Sequence, residues 1–396
     1  MTSFIPCVKW VKQGVSLHQN KIKLSQQELQ ELTKTEKKEK EPSRNTRKDY
    51  NLENYDEETM DISGAMSLSN LAVYNDINND DNDSDTDSDK LDEILKPDDN
   101  LVLVGNVKKN ECMLEVYVYN GNDNDFYIHH DIILKNPPLC LEWFGSMGNL
   151  CALGSMSATI DLWDLDLIGC LEPTHRLGRK KKKNPERNYG HTDAILDITW
   201  NEHLSHIIAS GSVDETILLW DLDACEPHTR MEDFGDHVQS IKWHPFESQT
   251  LAVGSSDFYV YDCRTYDTYK SWKIKGKVEK VHWDPSNGFL CYVGTDRGRL
   301  ICYDCRTDKP LWRYKHHENE VTGIYVWDKF IVSSSTDETL KVWDKEKKHL
   351  IKIREFSGAL HSLDGCSDYP FMVAVGGSGT SKFQLFDIKD FSLKTC

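Results

Sequence analysis

The sequence predicts an all-β chain: seven copies of one four-stranded unit closed into a propeller, with a long, largely disordered acidic insertion inside the first copy. Two series of aromatic residues and one shift in composition carry this prediction. The first series ends an opening strand in each copy, at Trp10, Trp143, Trp200, Trp243, Trp283 and Trp327, with Cys366 where the last tryptophan is expected. The second ends a third strand, at Trp163-Asp164, Trp220-Asp221, Tyr261-Asp262, Tyr303-Asp304, Trp343-Asp344 and Phe386-Asp387, with Tyr119-Asn120 as a worn copy. From Tyr119 and Trp143 onward, the steps in each series measure 39 to 44, the span of one four-stranded blade, except for one of 57 in each, between blades two and three.

Residues 1–11 read as the inner strand of blade one. Trp10 stands 109 residues before Tyr119, against 16 to 20 in the other copies, so about 89 residues are inserted within the blade. The insertion, residues 12–98, opens with a helix over Ser25–Lys40. Ser25 and Glu28 form a capping box, and the few apolar positions, Leu29 and Leu32, mark a solvated helix. Residues 41–100 then become too polar and too charged to repay their ordering entropy, which predicts disorder. Ser84 and Thr86, each with Asp three residues on, are candidate phosphosites that would add further negative charge. Residues 99–396 carry the rest of the propeller, and the long step of 57 contains a lysine-rich loop, 178–189.

Charge is unevenly placed along the 396 residues. Of the net charge of −18, about −14 falls in residues 51–100, while residues 1–50 are near +5. A globally acidic chain argues against nonspecific duplex binding, although a local basic feature can still contact phosphates. Twelve scattered cysteines, many inside expected strands, read as buried thiols of a reducing compartment. The N-terminus lacks the apolar core of a signal peptide, and no stretch approaches the ~20 apolar residues of a membrane span. The expectation is a soluble intracellular protein without a membrane partner.

The stretch Gly190–Leu222, GHTDAILDITWNEHLSHIIASGSVDETILLWDL, resembles a unit of the WD-repeat family. The expected fold is therefore a seven-bladed WD-repeat β-propeller. That resemblance implies a structural tetrad of His191, Ser210, Asp214 and Trp220 in blade three, matched by His317, Ser333, Asp337 and Trp343 in blade six. An indole N–H, a hydroxyl, an imidazole and a carboxylate can satisfy one another in a buried chain, so these residues are structural. Blade four has Phe234 where the loop histidine belongs, and blade five has no Gly-His around Lys275-Gly276.

YDCRT occurs twice and places Arg264 and Arg306 two residues after an aromatic-Asp pair. The spacing resembles the W-D-x-R box of propellers that serve cullin ubiquitin ligases, making both arginines candidates for adaptor binding. The competing reading is an ion pair with acids of a neighbouring blade. Arg179, Lys180, Lys181, Lys182 and Lys183 form a cationic cluster suited to nuclear import or an RNA contact. Other matches fail. Cys302 and Cys305 form a single CxxC on an expected strand, and neighbours on a strand such as His129-His130 and His316-His317 face opposite sides. VGGSGTSK at 375–382 lacks the phosphate-loop spacing and falls in an expected blade turn. No catalytic residue, metal site, cofactor or small-molecule substrate is expected.

The ordered series CVKWVKQGV, YDEET before an acidic tract, LKPDDNL, LEVYVYN, FYIHHDI, GHTDAILDITW and WHPFESQTL resembles the periodic tryptophan protein 1 family over nearly the whole chain. The resemblance implies a non-enzymatic nuclear and nucleolar scaffold in ribosome biogenesis, acting in pre-rRNA processing and large-subunit assembly. Implied partners are pre-ribosomal assembly factors and ribosomal proteins, and, through a chromatin connection, histones. Two rival functions follow: a histone-binding module acting on ribosomal DNA transcription, and a substrate receptor of a cullin ubiquitin ligase.

Overall fold

The computed structural model describes residues 3–15, 95–178 and 190–394, apart from 110, 124, 146–147, 233, 265–266, 380–382 and 390–391. The expected helix at 25–40, Ser84, Thr86 and the cluster Arg179–Lys183 lie outside the described residues.

Blade three shows how the repeat folds. Its strands, Ile195–Trp200, Ile207–Ser212, Ile217–Asp221 and Glu226–Met231, are short, and the first three are rich in β-branched and aliphatic residues. They pair antiparallel in chain order, and the turn between the second and third places Glu215 at φ 64°. The described strands make seven such blades. Five are separate four-stranded sheets, and blades seven and one merge into an eight-stranded sheet.

Inner strands pack side by side around a central axis. Pro138–Phe144, Ile195–Trp200, Ser240–Trp243, Val278–Trp283, Val321–Trp327 and Leu360–Gly365 each contact the next, and Leu360–Gly365 contacts Ser3–Val11, closing the ring. The hydrophobic core is accordingly distributed between blades. Phe144, Ile160 and Leu162 of blade two pack with Ile195, Ile198 and Trp220 of blade three. Burying a side chain of this size contributes about 1.5–3 kcal/mol, so each inter-blade cluster helps to fix two neighbours.

Carboxylates on the inner strands staple successive blades. Glu142 accepts the Trp200 N–H at 3.3 Å, Asp197 the Ile241 N–H at 2.9 Å, and Asp364 the Trp10 N–H at 2.8 Å. Lys9 and Lys242 approach Glu142 at 2.7 and 3.5 Å. Burial raises the Glu142 carboxyl, but the two ammonium groups and the Trp200 N–H outweigh it and bring it down to about 2.

Blade one takes its inner strand, Ser3–Val11, from the start of the chain and pairs it with Asn100–Lys108, Val11 lying opposite Leu101. The same strand pairs briefly with blade seven, Phe4 opposite Ser378. Both ends of the long connection are held by one side chain: Asp368 accepts the Gln13 N–H at 3.0 Å and Asn100 Nδ2 at 2.7 Å.

Three sequence expectations need correction. His129 and His130 do not face opposite sides, because His129 is the extra residue of a β-bulge between Val116 and Tyr117 of the partner strand; their Nδ1 atoms stand 2.8 Å apart. His316 and His317 are not on a strand at all but in the loop before Val321–Trp327; His317 is buried and the His316 ring lies 4.7 Å from that of Trp343. Finally, the glycine run after Val375 continues the strand Met372–Gly379 instead of forming a blade turn.

Candidate functional site

In blade three, Trp220 Nε1 donates to Ser210 Oγ at 2.8 Å, Ser210 Oγ lies 2.7 Å from His191 Nε2, and His191 Nδ1 lies 3.1 Å from the Asp214 carboxylate. Blade six repeats the chain: Trp343 to Ser333 at 3.0 Å, Ser333 to His317 at 2.8 Å, His317 to Asp337 at 2.9 Å. A neutral imidazole satisfies every member, accepting from the serine hydroxyl at Nε2 and donating from Nδ1 to the carboxylate. In blade six, burial pushes His317 down to about 4 despite the nearby Asp337 carboxylate. Burial raises Asp337, but hydrogen bonds from Thr339 and the Glu318 N–H, with the His317 contact, prevail and hold it at about 2. These histidines and aspartates are committed to one another.

The tetrads have further members that sequence reasoning missed. Thr216 Oγ1 donates to Asp214 Oδ1 at 2.7 Å, and Thr339 Oγ1 to Asp337 Oδ1 at 2.6 Å. The signal was the repeated Asp-Glu-Thr, whose middle residue takes a positive φ in both copies. A cation also sits on each aspartate. Arg230 Nη2 lies 3.8 Å from Asp214 Oδ2 and its Nη1 donates to the Gly190 carbonyl. Lys341 Nζ lies 3.6 Å from Asp337 Oδ2 and donates to the His316 carbonyl. The two cations come from opposite members of one cross-strand pair: Arg230 stands opposite Leu218, Lys341 opposite Ile353. No fixed sequence position carries this signal.

Where the pattern lapses, aromatic packing replaces it. Phe234 is fully buried, with its ring 5.4 Å from Tyr261 and 6.0 Å from Tyr259. In blades four and five, Phe258, Trp272 and Tyr303 form a three-ring cluster with centroids 5.1 to 5.3 Å apart.

Arg264 and Arg306 lie in the turns after the third strands of blades four and five, with side chains 69% and 60% exposed. Neither reaches a neighbouring blade's acid. Each binds the aspartate two residues earlier, Arg264 to Asp262 at 2.5 Å and Arg306 to Asp304 at 2.7 Å, and the Arg306 guanidinium stacks 4.2 Å from the Phe289 ring. The Asp262 carboxyl is held at about 2 by hydrogen bonds from Arg264. The forks are local, so both guanidiniums are presented at the rim.

Comparison with known proteins agrees with this geometry. The family described as WD domain, G-beta repeat matches residues 183–221 and 308–344, which contain the third strands of the two blades with complete tetrads. The periodic tryptophan protein 1 homolog of Drosophila melanogaster is 40% identical over 320 residues, covering 76% of this chain and 70% of that protein. An uncharacterized WD repeat-containing protein of Schizosaccharomyces pombe is 30% identical, covering 74% and 64%. Periodic tryptophan protein 1 of Saccharomyces cerevisiae is 27% identical, covering 75% and 65%, so the chain spans a little under two thirds of the two yeast relatives. A closed ring of WD-type blades and a Drosophila relative of this similarity place the chain in the periodic tryptophan protein 1 family of WD-repeat proteins.

Proposed function

We propose that the protein is a non-catalytic scaffold of ribosome biogenesis in the nucleus and nucleolus, acting in pre-rRNA processing and assembly of the large ribosomal subunit. The observation that carries this reading is membership of the periodic tryptophan protein 1 family. Propellers built from WD repeats are interaction platforms, and this one has two oppositely charged excursions. The described strand Ser3–Val11 ends before the acidic insertion and Ile195–Trp200 begins after the lysine-rich loop, so the two points of attachment are at opposite ends of inner strands, which supports a two-rimmed platform. The acidic tract suits basic ribosomal proteins or histones, and the lysine-rich loop suits an import receptor or RNA.

The test is sedimentation and depletion. The protein is expected to cosediment with precursors of the large subunit, and its depletion to accumulate unprocessed ribosomal RNA. Recovery only in free or chromatin fractions, with normal rRNA processing, would count against the assignment and favour the histone-binding alternative.

A further inference from the structure

We infer that blade five carries a second basic surface, distinct from the lysine-rich loop, that binds the phosphate backbone of a nucleic acid. Blade five replaces the tetrad with other residues. Glu215, Glu338 and Gly298 occupy the same place in their turns, at φ 64°, 65° and 69°. Counting from them, Arg297 stands where blades three and six have the tetrad aspartate, and Arg299 where they have the tetrad threonine. Two buried acceptors and donors have thus become two guanidiniums, Arg297 exposed and Arg299 partly so.

The surrounding cations form one continuous surface. Arg299 stands directly opposite Lys315 on the outer strand Pro310–Lys315, and Arg313 lies two residues along on the same face. Gly276, between Lys275 and Lys277, sits against the Asp296 carboxylate and, next to it, the Arg297 side chain, and Lys273 precedes it. Lys273, Lys275, Arg297, Arg299, Arg313 and Lys315 have no ion-pair partner among the described residues, whereas Lys277 is paired with Asp236 at 2.6 Å. Two carboxylates nearby are engaged with backbone: Asp296 accepts the Lys277 N–H at 2.9 Å and Asp257 the Ile274 N–H at 2.8 Å. In a chain of net charge −18, residues 273–315 hold ten Lys and Arg against five Asp and Glu.

Like charges directly opposite on a sheet are destabilising, so the Arg299–Lys315 pair calls for a counter-ion from outside. The surface is preorganised for one. The Gly298 carbonyl accepts the His317 N–H at 3.2 Å, and a Cβ at Gly298 would collide with the His317 carbonyl, so the turn is locked onto the blade-six loop. Protein interfaces have apolar, lysine-poor centres; here the only large apolar residue exposed on that outer strand is Leu311. Guanidinium forks and unpaired lysines without an apolar centre fit phosphates better than an acidic protein.

The experiment uses the full chain and a fluorescent single-stranded RNA of about 20 nucleotides, with anisotropy read across a salt series. The quadruple variant Arg297→Gln, Arg299→Gln, Arg313→Gln, Lys315→Gln is expected to bind about tenfold or more weakly. Its salt slope should fall by about three, roughly 0.7 for each of the lost contacts to a single strand. Parallel arms use duplex DNA of the same length and polyglutamate, and a second variant neutralises Arg179–Lys183. Circular dichroism melting checks that both variants fold; should the quadruple variant melt early, Arg313→Gln, Lys315→Gln alone takes its place. Unchanged RNA affinity in a folded variant overturns the inference, as does loss of binding only in the Arg179–Lys183 variant. Binding of polyglutamate without RNA would assign the surface to an acidic protein and overturn it too. The inference does not rest on the ribosomal role: particle association can persist while RNA binding by blade five fails.

Discussion

Trp10 and Tyr119 stand edge to face, ring centroids 5.7 Å apart at 82°, although more than a hundred residues separate them in the chain. Around them Ile5, Val8, Val102, Val104, Met372 and Leu385 join blades one and seven in a single cluster. The contact is the point at which the two ends of the propeller are held together, so the ring depends on a strand that must return from a distant part of the chain.

Replacing Trp10 by Ala is therefore expected to lower stability by about 3–5 kcal/mol, the range for truncating a large buried aromatic side chain. Trp10 Nε1 has no hydrogen-bond partner among the described residues. Trp10→Phe, which keeps an aromatic ring but loses the donor and the five-membered half of the indole, should cost less than half as much. Urea unfolding of both variants checks this; equal losses would mean that the indole N–H has a partner and that the site is not governed by packing.

The connection between the first two strands should be dispensable for folding. Val11 and Leu101 are already opposite one another, and Asp368 holds both Gln13 and Asn100. Exchanging residues 16–94 for a short Gly/Ser turn should leave the melting temperature within a few degrees, since lengthening or shortening a loop changes closure entropy only logarithmically. A chain that aggregates or loses cooperative melting would show that the insertion contributes to the fold.

Much of this architecture was legible because the repeat writes itself at two fixed positions per blade, the aromatic residues of the first and third strands. Trp10 could be placed with Tyr119 because CVKW matches the other first strands, such as CLEW and SIKW, even though the pair breaks the spacing. What was not legible has a common physical cause. Arg230 and Lys341 reach the same place from opposite strands, so no spacing marks them. The His129 bulge is a property of pairing with Val116 and Tyr117, which lie outside the local alternation. For Arg264 and Arg306 the reading that competed with adaptor binding was an ion pair to a neighbouring blade, but a fork to the aspartate two residues back costs less chain ordering.

The cation on the tetrad aspartate gives a transplant test. Lys341 is almost fully buried beside Asp337, and removing one partner of a buried pair strands the other charge. Lys341→Leu is expected to destabilise by roughly 3–5 kcal/mol. Adding Ile353→Arg rebuilds the blade-three arrangement, in which the cation comes from the outer strand opposite Leu218. The double variant should recover more than half of the loss in thermal unfolding. No recovery would mean that the cation's strand of origin matters and that the two blades are not equivalent.

Acid should weaken the fold first through its buried histidines. Burial pushes His130 and His317 from the ordinary 6.5 down to about 4, helped at His130 by the neighbouring His129. Between those limits the unfolded chain binds protons that the folded chain refuses, so stability rises with pH and is lost as pH falls from about 6.5 toward 4. Each such histidine contributes up to about 1.4 kcal/mol per pH unit within the window. The carboxylates held low, Asp337 and Glu142, both at about 2, respond only below their unfolded values of 3.8 and 4.5. Above pH 4.5 these lowered carboxylates are nearly silent, and the opposing groups are Asp161, Asp164 and Glu279, whose carboxyls burial raises. Urea midpoints should fall between pH 6.5 and 4.5, and His130→Gln, at a bulge outside the tetrads, should flatten the fall. An equally steep fall in His130→Gln and in the wild type would mean that the His130 imidazole reaches its charged form in the folded blade.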